Sequence, residues 1–180
     1  SRDVTRISSR ELASLMQLTA SQIRQDLNCF GGFGQQGYGY NVAALHKEIG
    51  NIMGLNKHTP MVLIGAGNLG RTIARHMDFE SSGFKLVGIF DDSPRVIGQK
   101  VSSLTVQDMA GLEAFCKEQS PRAAILCIPK EAARALAETL VKYGIRGFWN
   151  FSHYDLSVEY PDVTVENVHL GDSLMSLGYR

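Results

Sequence analysis

The sequence lacks the features that mark secreted, zinc-binding and membrane proteins. Its three cysteines, Cys29, Cys116 and Cys127, lie far apart and form no CxxC pair, which argues against a zinc site or a disulfide framework. Cys127 falls within an apolar, strand-like run, so we expect it in the core. No apolar run approaches the roughly 20 residues that span a bilayer, and the first four residues (SRDV) contain no apolar signal core. We therefore expect a reduced, cytoplasmic protein without a membrane partner.

The sequence also lacks an excess of charge of either sign. Its 18 Lys and Arg residues balance 18 Asp and Glu residues, and 44% of its residues are hydrophobic, which is the composition of ordinary globular domains. Taken over the whole chain, this neutrality gives no electrostatic sign of a nucleic-acid binder. The charge is unevenly distributed, however, because residues 1–58 carry six Lys and Arg against four Asp and Glu, a net charge of +2, and the remainder carries −2. Neutrality is therefore the sum of a slightly basic N-terminal part and a slightly acidic remainder.

The first thirty residues have the pattern of two short helices. Ser8 with Glu11, and Thr19 with Gln22, have the spacing of a capping box, in which each side chain reaches the other residue's backbone N–H. Apolar residues recur at helical spacing after each box; they are Leu12, Leu15 and Met16 in the first helix and Ile23, Leu27 and Phe30 in the second. The spacing predicts a helical hairpin.

The polar face of the second helix differs from an ordinary solvated face, which alternates Glu and Lys. It consists almost entirely of uncharged hydrogen-bonding side chains around one arginine: Ser21, Gln22, Arg24, Gln25 and Asn28. Amide side chains can pair with adenine edges and arginine with guanine edges in the major groove of DNA. Two helices joined by a tight turn, the second with this face, have the arrangement of a helix-turn-helix that reads DNA, but the helix pair alone does not favour that interpretation. The alternative is the polar face of a small helical hairpin with no ligand.

A glycine-rich segment, residues 31–40 (GGFGQQGYGY), follows the second helix. Glycines at this density permit tight turns with positive φ, and the aromatic residues Phe33, Tyr38 and Tyr40 argue against a flexible linker because they favour burial. We expect a β-hairpin, which directly after a recognition helix would form the wing of a winged-helix domain. A third helix is expected from Asn41 to Gly54, and the polar residues 55–59 form the best domain boundary.

From Pro60 onwards the sequence alternates strands and helices. Strands are expected at residues 61–64, 84–90, near 101–106, and at 123–128, 147–151 and 163–165, and helices after Leu69, around 112–115 and over 131–143. The first strand is fully apolar, as in a parallel sheet that is buried on both faces. This alternation predicts an α/β domain with a doubly wound parallel sheet of the Rossmann type.

The turn after the first of these strands reads Gly65-Ala66-Gly67-Asn68-Leu69-Gly70, a GxGxxG sequence between an apolar strand and a helix. Gly65 allows the tight turn, Gly67 lets the backbone approach a pyrophosphate, and Gly70 lets the helix pack on the strand. The helix N-terminus offers free N–H groups to the phosphates. Asp91, at the end of the second strand, is placed to accept hydrogen bonds from the adenosine ribose, which favours NAD(H) over NADP(H). The alternative is a glycine-rich turn in another α/β protein.

Catalysis is the less favoured hypothesis. A dehydrogenase needs a substrate pocket and a proton carrier, and His153, His169, Lys130 and Asp155 could each be a proton carrier, but none lies in a recognisable pair or triad. The alternative function is therefore a small NAD-dependent oxidoreductase with an N-terminal helical extension. Phe151, just past the fifth strand, is expected to line the nicotinamide side of the nucleotide site.

The end of the chain has apolar residues at helical spacing, namely Leu170, Leu174, Met175 and Leu177. A terminal helix with this stripe must bury it. It either docks on its own domain or is exchanged with a partner subunit, as in many symmetric dimers.

The order of these features closely resembles that of the redox-sensing transcriptional repressor Rex family over nearly the whole chain. The resemblance is carried by residues 7–13, 20–27, 30–40, 62–70, 90–91, 150–151 and 165–168. It implies a homodimer with an α+β winged-helix domain at residues 1–56, a Rossmann NAD(H)-binding domain at residues 60–166, and a C-terminal helix at residues 167–180 that is swapped onto the partner. It further implies binding to palindromic operators in double-stranded DNA, release by NADH, and competition by NAD⁺ that leaves DNA binding intact.

The motifs, taken together with the resemblance, give the expected site residues. The cofactor would be held by residues 65–70, Asp91 and Phe151, and the operator by Ser9, Arg10, Ser21, Gln22, Arg24 and Gln25, with Gln35 and Gln36 in the wing. The chain departs from the family where Gln35 and Gln36 replace a frequent basic pair, where Gln25 replaces a frequent Lys, and where His169 replaces a frequent Asp. Fewer cations should lower the salt dependence of DNA binding. The family's leading helix is expected to be absent from this chain.

Overall fold

Residues 1–56 and residues 57–180 fold as two units in the computed structural model. The structure describes residues 5–29, 34–35, 39–169, 171–172, 175 and 178.

The N-terminal unit combines helices with a small antiparallel sheet. Its elements are β1 (Arg6–Ile7), α1 (Ser9–Met16), α2 (Ala20–Asn28), β2 (Gly34–Gln35), β3 (Gly39–Asn41) and α3 (Val42–Ile52). The strands pair in the order β1-β3-β2, so β2 and β3 form the expected hairpin, and β1 adds a strand that the sequence did not predict. Ala13, Ile23, Tyr40 and Leu45 form the buried core of the unit, which confirms Tyr40 as an aromatic anchor.

Both capping boxes form. The Ser8 N–H donates to Glu11 Oε2 at 2.8 Å, and the Glu11 N–H donates to Ser8 Oγ at 3.2 Å. The hydrogen bond from the Ser8 backbone lowers the pKa of Glu11. Thr19 and Gln22 are joined in the same way at the start of α2. These caps satisfy N–H groups that a helix N-terminus leaves free, and they fix where α1 and α2 begin.

The C-terminal unit is a parallel sheet with helices on both faces. Its elements are β4 (Thr59–Ile64), α4 (Asn68–His76), β5 (Phe84–Asp91), β6 (Lys100–Val101), β7 (Leu104–Asp108), α5 (Leu112–Gln119), β8 (Ala123–Leu126), α6 (Lys130–Lys142), β9 (Gly147–Asn150), α7 (Leu156–Glu159) and β10 (Thr164–Asn167). The strand order is β10-β9-β8-β4-β5-β7-β6, and every neighbouring pair is parallel except β6 and β7. Without β6 this is the Rossmann order, which reverses between β4 and β8.

The region near 101–106 differs from the single strand that we expected. It forms an antiparallel hairpin in which β6 and β7 are joined through Ser102, whose φ is +56°. The sequence does not predict this turn, because a serine rarely adopts a positive φ. The strands expected at residues 147–151 and 163–165 form as β9 and β10, and their ends lie within two residues of the expected ones. The sequence does not predict the short helix α7.

Alternate residues of the central strands pack into two cores. On β4 and β5, Val62, Ile64 and Phe90 face α5 and α6, whereas Leu63 and Ile89 face α4. All five are 2% exposed or less. This two-sided burial explains the continuous apolar run of β4.

The predicted terminal helix is described only in part. Residues 171, 172, 175 and 178 are helical, and Met175 is exposed. Leu170, Leu174 and Leu177 lie outside the described residues, as do Phe30, Phe33, Gln36 and Tyr38. Among the helices that the structure describes, none has the length and apolar character needed to cross a membrane.

Candidate functional site

The glycine turn between β4 and α4 is closed so tightly that two of its positions exclude any side chain. Gly65 has a φ of +99°, and a Cβ there would lie 2.4 Å from the Cys127 carbonyl oxygen. A Cβ at Gly70 would lie 1.9 Å from the Gly65 carbonyl oxygen. Gly67 differs, because a Cβ there would meet nothing within 4 Å. The turn therefore presents open space at Gly67, directly before the N-terminus of α4.

Asp91 joins this turn to the end of β5. Its Oδ2 accepts a hydrogen bond from the Ala66 N–H at 2.6 Å, and its Oδ1 accepts one from the Ser93 N–H at 2.8 Å. Each carboxylate oxygen has a further lone pair. Asp91 can therefore hold the turn in place and still accept a hydrogen bond from a ribose hydroxyl.

A cavity of about 370 Å³ opens at the carboxyl ends of the strands. It is lined by Ile64, Gly65, Asp91, Asp92, Met109, Ile128, Pro129, Ala132, Ala135 and Leu136. Its volume and its mainly apolar lining with a few polar groups are typical of small-molecule sites, and the crevice where strand order reverses is where Rossmann folds bind nucleotides. Apolar walls suit a base and the carboxylates suit a ribose, so this chain's residues fit the adenosine half of a dinucleotide.

Most of the residues that line this cavity could not be predicted from local sequence patterns. Met109 follows β7, Ile128 and Pro129 follow β8, and Ala132 lies on α6. The signal that could have found them is their position, because residues just after the carboxyl ends of parallel strands line the ligand crevice.

The other expected cofactor residues Asn68, Leu69 and Phe151 are not among those that line this cavity. Asn68 and Leu69 begin α4, where the Leu69 side chain is 39% exposed. Phe151 follows β9 and does not line the cavity; it lies on the α4 face of the sheet, with its ring centroid 4.9 Å from that of Trp149. Cys127 lies beside Gly65, and burial raises the pKa of its thiol to about 12, so it is a poor nucleophile at neutral pH.

In the N-terminal unit, the candidate DNA-contacting side chains lie at the starts of α1 and α2. Arg10, Ser21, Gln22, Arg24 and Gln25 are exposed. Arg24 Nη1 donates to Ser9 Oγ at 3.3 Å, so Ser9 orients the guanidinium. Gln22 Oε1 accepts hydrogen bonds from both the N–H and the hydroxyl of Thr19. The backbone of Gln35 lies in β2, and Gln36 lies outside the described residues.

Two of the residues weighed as proton carriers form a pair that the sequence did not reveal. His153 Nδ1 and His169 Nδ1 lie 2.9 Å apart. The ring centroids lie 5.0 Å apart, which is close to the Nδ1–Nδ1 distance plus the radius of each ring. The two rings therefore meet edge to edge and share one hydrogen bond. Within the described part of the chain, no group of three or more His, Cys, Asp or Glu side chains could hold a metal ion.

Comparison with known proteins identifies the family. Residues 56–154 match the CoA binding domain, and residues 1–28 match the putative DNA-binding protein N-terminus. The redox-sensing transcriptional repressor Rex of Clostridium perfringens is 51% identical over 98% of this chain and 83% of its own length, and that of Caldanaerobacter subterraneus is 54% identical over 99% and 79%. The chain belongs to the Rex family.

Solved Rex structures have the same fold. RSP, a Rex-family repressor in complex with β-NAD⁺ and operator DNA, is 53% identical with a TM-score of 0.86, covering 99% of this chain and 82% of RSP. RSP in complex with β-NADH is 50% identical with a TM-score of 0.80, covering 99% and 83%. Aspartate semialdehyde dehydrogenase II from Vibrio cholerae, at 12% identity and a TM-score of 0.51, shares the fold alone. The Rex relatives indicate a regulator rather than an enzyme.

Two glycine substitutions separate the packing of the turn from ligand binding. Gly70→Ala places a methyl group against the Gly65 carbonyl and should lower the free energy of unfolding by about 3 kcal/mol. Gly67→Ala enters open space at an ordinary φ of −67° and should change it by less than about 0.5 kcal/mol. If a phosphate binds at the start of α4, as the sequence predicts, the same methyl would come into its space, and Gly67→Ala should weaken NADH binding at least about tenfold. Urea unfolding and calorimetric titration test both; equal effects of the two substitutions on stability would contradict this assignment.

Proposed function

We propose that this chain is an NADH-responsive transcriptional repressor that binds palindromic operators as a homodimer and leaves them when NADH binds. The observation that carries the proposal is that one chain combines two sites. One is a nucleotide-sized crevice beside the glycine turn, and the other is an exposed face of arginine and amide side chains on a capped helix. Identity of 51–54% to Rex repressors, and likeness to RSP with β-NAD⁺ and operator DNA and with β-NADH, support the same two ligands.

In this proposal NADH and NAD⁺ compete for the crevice. The N–H groups of residues 67–69 receive the pyrophosphate at the start of α4, Asp91 accepts hydrogen bonds from the ribose, and Met109 and Ile128 hold the adenine between apolar walls. The nicotinamide ring supplies the redox signal, because it is positively charged when oxidised and neutral when reduced. Phe151 lies on the nicotinamide side.

The two ligands are linked thermodynamically. If NADH lowers the affinity for the operator by some factor, the operator must lower the affinity for NADH by the same factor. The magnitude of the switch is set by how differently the DNA-binding and released forms bind NADH. NAD⁺ binds without this preference and therefore leaves the operator complex intact.

On the DNA side, amides and geometry contribute more than bulk charge. A net charge of +2 over residues 1–58 is small for a DNA binder, and Gln25, Gln35 and Gln36 add no cations. Sequence is read by contacts to base edges, for which Arg24, oriented by Ser9, is the best candidate. Two such units, related by a dimer axis and connected through a swapped C-terminal helix, would match the symmetry of a palindrome.

We also propose that the chain turns over no substrate and works in the cytoplasm, where NAD(H) and DNA occur together. The oxidoreductase alternative needs a proton carrier. Of the four candidates, His153 and His169 are paired with each other, Asp155 caps α7 through Ser157, and Lys130 is exposed at the start of α6. Incubation with NADH and a panel of small carbonyl compounds tests this point. Steady oxidation of NADH would favour the enzyme.

The decisive experiment is a DNA-retention assay on a palindromic operator, titrated with NADH and NAD⁺ separately. We expect NADH alone to release the DNA. Retention with both nucleotides would leave a plain DNA-binding protein, and failure to bind the operator at all would contradict the proposal.

Arg24→Ala should greatly weaken operator binding and leave NADH affinity unchanged, because Arg24 lies in the N-terminal unit. Loss of one bidentate arginine contact costs about 1–3 kcal/mol, which is about fivefold to a hundredfold at one half-site and more in a dimer. Fluorescence anisotropy with labelled operator measures this loss. Arg75→Ala removes the same charge from α4 and serves as the control; loss of both activities in a folded Arg24→Ala protein would contradict the two-site model.

Asp91→Ala should weaken NADH binding about tenfold to a hundredfold, because a hydrogen bond to a charged group contributes about 1.5–3 kcal/mol. The variant should stay on the operator at NADH concentrations that release the unsubstituted protein. Titration calorimetry and the retention assay measure the two effects, with the exposed Asp162→Ala as the control. An unchanged response to NADH would remove Asp91 from the site.

A further inference from the structure

Asn150, at the end of β9, is a buried polar residue that uses its whole hydrogen-bonding capacity. It is 1% exposed. Its Nδ2 donates to the Tyr154 carbonyl oxygen at 2.6 Å and to Asn167 Oδ1 at 2.7 Å. Its Oδ1 accepts from the N–H of Ser152 at 3.1 Å and from its hydroxyl at 2.6 Å. A buried amide with two donors and two acceptor positions filled cannot move without leaving a polar group unsatisfied.

These contacts hold the turn after β9 from both sides. Ser152, itself 3% exposed, and Tyr154 close the turn on the Asn150 side chain. The bond to Asn167 ties it to the neighbouring strand, since Asn150 and Asn167 are direct partners in the register of β9 and β10. His153 within the turn has a φ of +60°, a conformation that persists in a non-glycine residue when its surroundings fix it.

Phe151 lies between these two anchored residues. Because side chains alternate along a strand, Asn150 and Ser152 lie on one face while Phe151 lies on the α4 face against Trp149. The Phe151 N–H donates to the Leu126 carbonyl at 3.0 Å, and Cys127, the residue after that strand, has its carbonyl oxygen against Gly65. Only β8 therefore separates Phe151 from the glycine turn. Phe151 lies on the side away from the adenosine cavity, where the second half of a dinucleotide would lie across the crevice.

From this geometry we propose that Asn150, held by Asn167, is a positioning residue for the nicotinamide half of the cofactor. It fixes Phe151 in place and so determines affinity for the nicotinamide, while the ADP half binds independently of it. This inference rests on the proposed nucleotide binding and extends it to a residue that does not itself touch the ligand.

The test compares two ligands on a variant that weakens the anchor from outside the site. Asn167→Leu keeps the branched shape and the number of heavy atoms of the side chain but removes the acceptor for Asn150. We expect NADH binding to weaken about fivefold to tenfold, the loss of about one hydrogen bond. ADP-ribose, which lacks nicotinamide, should bind with an affinity within about twofold of the unsubstituted protein. A purely structural role would move both ligands together or neither, and either result would overturn the proposal.

An exchange of side chains provides the rescue. The pKa of Asp155 is lowered chiefly by hydrogen bonds from Ser157 and further by the nearby Asn167 side chain, so a carboxylate at position 167 would lie close to that of Asp155. In the double variant Asp155→Asn with Asn167→Asp, the carboxylate moves to position 167, where it can still accept from Asn150. NADH affinity should return to within about twofold of the unsubstituted protein. Failure of the exchange to restore binding would contradict the proposed role of Asn150.

The experiment also separates this inference from the proposed function. If the unsubstituted protein bound neither NADH nor ADP-ribose, nucleotide binding itself would be wrong. If Asn167→Leu failed to fold, as judged by circular dichroism, Ser152→Ala would remove a single hydroxyl donor to Asn150, and the same selective loss of NADH affinity is expected. If a folded Ser152→Ala protein changed its affinities for NADH and ADP-ribose by the same factor, or changed neither, the positioning role would be wrong.

Discussion

The nucleotide site depends on how closely α4 approaches β4. At Gly70 the helix lies nearer to the Gly65 carbonyl than any side chain would allow, and this contact brings the first N–H groups of α4 to the carboxyl edge of the sheet. Asp91 then holds the Ala66 N–H from the next strand. The turn, the helix and the acid form one rigid arrangement made mainly of backbone. The apolar cavity beside it can vary in its side chains without disturbing that arrangement.

The N-terminal unit relies on a different kind of stabilisation. Helices α1 and α2 have eight and nine residues, which is too short for stability in isolation. Two capping boxes and a core of four buried residues therefore determine the position of the polar face. Within that face the bond from Arg24 to Ser9 links α2 to the first residue of α1, so the orientation of the arginine depends on both helices.

Much of the fold could be predicted from the sequence, because its signals are local. Ser8 with Glu11, Thr19 with Gln22, and the N-cap Asn41 mark helix starts through contacts three residues apart, and all three form. The run at residues 61–64 and the glycine turn after it place the central strand and its helix. The Rex family follows from the order of these segments, and the relatives confirm it.

What could not be predicted depends on contacts between distant segments. Met109 and Ala132 line the cavity because the end of β7 and the start of α6 lie at the same edge of the sheet, which no local pattern records. The pairing of His153 with His169 and of Asn150 with Asn167 depends on the register of β9 and β10. The β6–β7 hairpin was missed because its turn uses Ser102 at positive φ rather than glycine. The roles of the individual site residues remain predictions.

The capping box at the start of α2 limits what Gln22 can read. Its side-chain oxygen is occupied by Thr19, so in this conformation the residue faces outward as a hydrogen-bond donor alone. In the major groove a donor pairs with the N7 acceptor that adenine and guanine share, whereas recognition of adenine needs an acceptor for its N6 amino group as well. Gln22 would therefore distinguish a purine from cytosine but not one purine from the other, and a transition at the base pair it faces should be tolerated.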